Sequence, residues 1–186
     1  MAIRDLCFNL YKKISLNKSL LFNVIGFQLV WFICVQGNNY VAVIAAIILF
    51  IFHQFLFKES FKTWGILILF SLLGYLGDSL IAIIWDVEYR DNLYPLGPLW
   101  LLSLWLAFST TLNHSMKWLF SRHTFSIIII LVAALSIVPL SYLAGITLSA
   151  SILNNEPILF FLSESLWWAI LLLSYQRLIP LSVIKG

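Results

Sequence analysis

Six apolar runs, each roughly twenty residues long, divide this chain, and its basic residues stand almost entirely on one side of them. The runs fall at about 19–36, 40–57, 63–85, 96–113, 125–145 and 157–176. Threading six helices through these segments puts every Lys and Arg except Arg90 on one face. Positive charge in short loops marks the cytoplasmic side of a membrane protein. The expected fold is therefore an all-α membrane protein, a six-transmembrane-helix bundle with both termini cytoplasmic. Composition agrees, with 62% hydrophobic and 10% charged residues in 186. A soluble domain carries about 25% charged residues. No loop is long enough for a soluble domain, so whatever the protein does, it does in the membrane or with a partner.

Residues 1–18 form a separate expectation. Ile3, Leu6, Cys7, Leu10 and Ile14 line one helical stripe, with Lys12, Lys13 and Lys18 elsewhere. This reads as an amphipathic segment at the inner-leaflet interface, followed by a single transmembrane domain over 19–186. The N-terminus does not read as a secretory signal, because no small-x-small site follows its apolar run. Cys7 and Cys34 fall at opposite depths and should not pair. The basic residues are accounted for by topology, so no nucleic-acid surface is read from them.

Two carboxylates stand out because charge inside a membrane is costly. Asp78 lies roughly 6 Å beyond the midpoint of span 3 and Glu164 roughly 4–5 Å before that of span 6, both toward the outside. Intramembrane carboxylates mark a site, pathway or relay. If the two approach closely, they should share a proton, because like charges in low dielectric cannot both ionise. Helical spacing offers companions. Gln28 stands near the middle of span 1, Trp100, Ser103 and Trp105 on span 4, Tyr142 at the outer end of span 5, and Trp167 on span 6. Together they predict an outward-biased polar pocket walled by aromatic rings among spans 1, 3, 4 and 6. Asp78 and Glu164 are its candidate acid/base pair, and the other six are candidate substrate-binding residues. The competing reading is helix packing, in which small and polar residues only join membrane helices.

No metal is expected. His53, His114 and His123 fall toward the inside, away from both carboxylates, and read as interfacial residues. The two-His-on-one-turn patterns of zinc enzymes are missing. A haem clamped between His53 and His114 is disfavoured. No cofactor is named by the residues.

With these residues in place, the chain resembles a family of bacterial inner-membrane proteins called domain of unknown function 2878. The resemblance rests on Asn23, Phe27-Gln28 and Trp31-Phe32, and on Gly74 with Gly77-Asp78. It continues through Pro98-Leu99-Trp100, Leu104-Trp105, Phe108, Thr111-Leu112, Ser115 and Trp118-Leu119. Pro139-Leu140-Ser141-Tyr142 with Ala144-Gly145, and a Trp at 167 or 168, complete it. It implies the inner membrane of Gram-negative bacteria. A loose association with fatty-acid-modifying enzymes of the cyclopropane-synthase type points to membrane lipid, and no activity comes with it.

Three roles remain open. The chain could be an enzyme, or an accessory to one, acting on a membrane lipid or lipophilic small molecule. It also looks like the substrate-binding subunits of energy-coupling-factor vitamin transporters, with Ala42 and Ala46 the available AxxxA spacing for a partner. Or it is a structural subunit whose carboxylates pair with a membrane partner protein.

Overall fold

The computed structural model describes the backbone of residues 2–120, 124–148, 150–155 and 157–178, with side chains from residue 18 to 177 inside those ranges. Among the described residues there are six α-helices: α1 Ala2–Gln36, α2 Asn39–Phe57, α3 Phe61–Ile84, α4 Leu99–Leu112, α5 Thr124–Thr147 and α6 Pro157–Leu178. Five of them are long and apolar enough to cross a membrane. The exception is α4, whose 14 residues span about 21 Å, less than the roughly 30 Å of hydrocarbon in a bilayer. It sits at the centre, packed by α1, α2 and α3. A short 3-10 turn, Lys117–Phe120, follows it. Protein rather than lipid surrounds α4, so its length is not set by the bilayer.

Local chemistry places the helix ends. The Asn38 side chain accepts from Val41 N and Ser60 Oγ from Thr63 N, capping α2 and α3. Lys58 closes α2 in the left-handed region, with its N–H bonded to the Gln54 carbonyl. Pro98 and Pro157 stand at the starts of α4 and α6, where a missing N–H costs nothing. α1 is helical from Ala2 onward, and its membrane-length portion is Lys18–Gln36. The side chains of the predicted interfacial stripe, residues 3–14, lie outside those described.

The bundle is turned inside out relative to a soluble protein. Leu29, Phe32, Ile44, Ile51, Leu69, Leu80, Val132, Leu135 and Leu166 are exposed, which suits a lipid solvent. Small and polar residues face inward. Ala42, Ala45 and Ala46 are buried on α2, which packs against α4 and α1. Between membrane helices, apolar contact brings little hydrophobic gain, so close packing and hydrogen bonds hold the bundle. Ser71 Oγ lies within hydrogen-bonding distance of the carbonyls of Leu67 (2.8 Å) and Trp105 (3.2 Å). Ser79 Oγ donates to the Tyr75 carbonyl and accepts from Gly97 N.

The loops expected at 86–95 and 146–156 instead contain paired strands. β1, Val87–Tyr89, runs antiparallel to β2, Ser151–Leu153, with Glu88 opposite Ile152. Three-residue strands carry too little periodicity to be read locally. The pairing ties the end of α3 to the end of α5. Arg90, the one basic residue outside the charge pattern, has a specific task there. Its Nη2 donates to the Cys34 carbonyl at 3.2 Å and to the Gly37 carbonyl, satisfying acceptors left open at the end of α1.

Candidate functional site

Helix packing leaves a gap between α1 and α5. α1 packs on α2 and α4, α5 packs chiefly on α6, and α1 and α5 hardly touch. A cavity of about 460 Å³ occupies the space between them. Its floor is α4, through Trp100, Leu101, Leu104, Trp105 and Phe108. α1 supplies Phe27, Gln28, Trp31 and Val35, and α5 supplies Val138, Ser141, Tyr142 and Gly145. Trp168 closes it from α6 and Tyr89 from β1. Its size falls in the range of small-molecule sites, and its lining is mostly apolar and aromatic, as such sites are. Gln28 and Ser141 are exposed and stand on opposite lips of the gap.

Asp78 is the charged residue of this lining and is 1% exposed. It stands six residues before the end of α3, about 9 Å from the β1–β2 end. Its Oδ2 accepts two hydrogen bonds, from Trp105 Nε1 at 2.8 Å and from Tyr142 OH at 2.6 Å. Trp168 Nε1 in turn donates to Tyr142 OH at 3.3 Å. The Trp105 and Trp168 rings are stacked, with centroids 4.3 Å apart. Oδ1 of Asp78 is buried and has no partner. Two donors therefore fix the carboxyl through one oxygen, and the other accepts from neither of them, with the Glu164 carboxyl as the neighbour that interacts with Asp78.

The approach of Trp105 to Asp78 depends on glycine. A Cβ at Gly74 would lie 2.3–2.5 Å from the Trp105 ring, and one at Gly77 would lie 1.9–2.6 Å from the Trp167 indole. Both glycines lie on the turn of α3 that carries Asp78. No other residue admits the two indoles this close to the helix.

Glu164 stands seven residues into α6, about 10 Å from the same end, and is fully buried. It interacts electrostatically with Asp78 and Tyr142. Neither of its oxygens has a hydrogen-bond partner in the geometry, and it does not line the cavity.

The candidate residues separate into two groups. Gln28, Asp78, Trp100, Trp105 and Tyr142 line the cavity. Ser103 is buried in α4 away from it, and Trp167 packs beside Gly77 with its Nε1 unpartnered. Trp168, not Trp167, faces the cavity, and Phe27, Trp31 and Ser141 belong to the lining as well. The i, i+4 relation of Phe27 and Trp31 to one another was available in the sequence; the choice between adjacent tryptophans on α6 depends on helix rotation.

At the opposite end, His53 and His114 meet across Glu59. His114 Nε2 is 2.7 Å from Glu59 Oε1 and His53 Nε2 is 3.9 Å from the same atom. His53 is buried at 1% exposure, packed inside the bundle near the end of α2. Burial would raise the Glu59 carboxyl, but the hydrogen bond with His114 and the closeness of both imidazoles outweigh it and bring it down to about 2.

No curated protein and no solved structure matches the chain. The model of one family, described as a protein of unknown function (DUF2878), matches residues 20–174. That stretch includes α2 to α5, most of the span of α1, most of α6 and every residue of the cavity. The chain belongs to the DUF2878 family.

Proposed function

We propose that this is a six-pass protein of a bacterial inner membrane, with cytoplasmic termini, which admits a membrane lipid or a lipophilic small molecule to the cavity between α1 and α5. It acts on that molecule as an enzyme or as an accessory to one. One observation carries the reading: the buried Asp78 carboxyl, one oxygen of which has no donor, lines an apolar cavity between α1 and α5, two helices long and apolar enough to cross a membrane. A lateral gap suits a molecule that arrives within the bilayer. Gln28 and Ser141 at the lips would meet its polar part, while Trp31, Trp100 and Phe108 would hold its apolar part.

Asp78 is the acid/base of this proposal. A general acid or base must reach its proton at about 2.6–3.2 Å, and Oδ1 is the free atom for it. Tyr142, held by Trp168, orients Asp78 and supplies a second hydroxyl. Glu164 is a reserve partner one layer behind. α4 makes the fourth pass in this topology despite its length, returning the chain from the end of α3 to the start of α5.

The transport reading has less support. Ala42 and Ala46, its candidate docking surface, are buried within the bundle. A purely structural subunit does not need a cavity of this size, or a carboxyl fixed by two aromatic donors. A partner protein in the membrane fits either of the first two roles.

The test is the lipid profile of cells. Deletion of the gene and the Asp78→Asn substitution are expected to change the same lipid or lipophilic species by at least about threefold, while Ser103→Ala leaves it unchanged. Identical lipidomes in deletion and parent cells would remove the enzymatic reading.

A further inference from the structure

The residues His53, Glu59 and His114 come from three separate elements, the end of α2, the turn before α3 and the segment after α4. One ligand atom from each lies within 4.8 Å of the others. We propose that they form a site for a divalent first-row transition metal, with zinc the best match to their chemistry. Two imidazoles and one carboxylate are a common zinc donor set, with bonds of about 2.0–2.2 Å. Tetrahedral coordination at that length separates ligand atoms by roughly 3.4 Å. The observed 2.7 and 3.9 Å to Glu59 Oε1 bracket that spacing.

His53 supplies the independent observation. Its ring is buried, yet Nε2 points into the cluster with no hydrogen-bond partner. A buried polar nitrogen left without a partner is costly, and a cation would remove that cost. The ring is positioned from behind. Asn23 Nδ2 lies 3.5 Å from His53 Nδ1 and donates to the Thr110 carbonyl at 3.2 Å, while Asn23 Oδ1 accepts from Ser115 at 2.7 Å. A cation on Nε2 puts the ring proton on Nδ1, so Asn23 must turn its oxygen to that side. That rearrangement sets the affinity below that of a fully prepared site. Phe57 stacks on the His114 ring at 3.7 Å and fixes its plane. Glu59 and His114 are partly exposed, which leaves a route in and a position for water. The site would fasten the α2–α3 turn to the end of α4, remote from the outer cavity.

Tag-free protein in detergent, stripped with chelator, is titrated with Zn²⁺ by calorimetry and with Co²⁺ by visible absorption. One equivalent of Zn²⁺ is expected, with an intense four-coordinate Co²⁺ band. Glu59→Gln and His114→Ala, both at partly exposed positions, are expected to weaken binding at least tenfold and abolish the band. Asp78→Asn is expected to leave both unchanged, so failure here is separable from failure at the cavity. Absence of Zn²⁺ binding by the parent protein, or equal binding by Glu59→Gln and His114→Ala, overturns the proposal.

Discussion

Gly74→Ala is expected to lower stability by about 3 kcal/mol, near the upper end of overpacking costs. The added methyl would fall 2.3–2.5 Å from three atoms of the Trp105 ring. That ring cannot move freely. It is 2% exposed, stacked on Trp168 and bonded through Nε1 to Asp78. Relief requires either displacing the indole from the carboxyl or separating α3 from α4. Gly77→Ala has the same consequence through Trp167. Gly65→Ala is the control, because nothing lies within 4 Å of its added Cβ and alanine is the better helix former by about 1 kcal/mol. Denaturant unfolding in mixed micelles measures all three. The expected order is Gly65→Ala at or above the parent, with Gly74→Ala and Gly77→Ala well below it.

Asp78→Ala is expected to cost about 2–4 kcal/mol, and Asp78→Asn less than about 1.5. Alanine leaves Trp105 Nε1 and Tyr142 OH without their acceptor in a buried layer. Unsatisfied buried donors cost roughly 1–3 kcal/mol each, and Tyr142 recovers part of that loss by donating to the Glu164 carboxyl. Asparagine keeps an amide oxygen for both donors and removes only the acid/base. The pair therefore separates the structural task of Asp78 from its chemical one. Micellar unfolding gives the stability difference, and tryptophan fluorescence reports whether Trp105 has left its place. Equal stability of Asp78→Ala and the parent would show that the carboxyl does not organise this layer.

Much of the fold is legible in residue order because membrane helices are written as apolar runs. The depth of Asp78 follows from counting turns along α3, and Tyr142 falls at a matching depth by the same counting on α5. What counting cannot supply is rotation and distance. Adjacent residues Trp167 and Trp168 differ by about 100° around α6, and that angle decides which one faces the cavity. The strands at Val87–Tyr89 and Ser151–Leu153 are invisible locally, because their pairing partner is over sixty residues away. His53, Glu59 and His114 carry no spacing motif, since three elements bring them together. The short α4 reads as an ordinary span because the apolar run that contains it opens at Leu96, ahead of the helix; burial among α1, α2 and α3 frees it from bilayer length.

The central claim is that the cavity between α1 and α5 holds a lipophilic molecule at Asp78. Native mass spectrometry of the protein released from lipid nanodiscs tests it directly. The parent protein is expected to retain one tightly held species of defined mass, reduced at least about tenfold by Asp78→Asn and by Tyr142→Phe. Release of apo protein alone, or equal retention of the same lipids by parent, Asp78→Asn and Tyr142→Phe, would contradict the account.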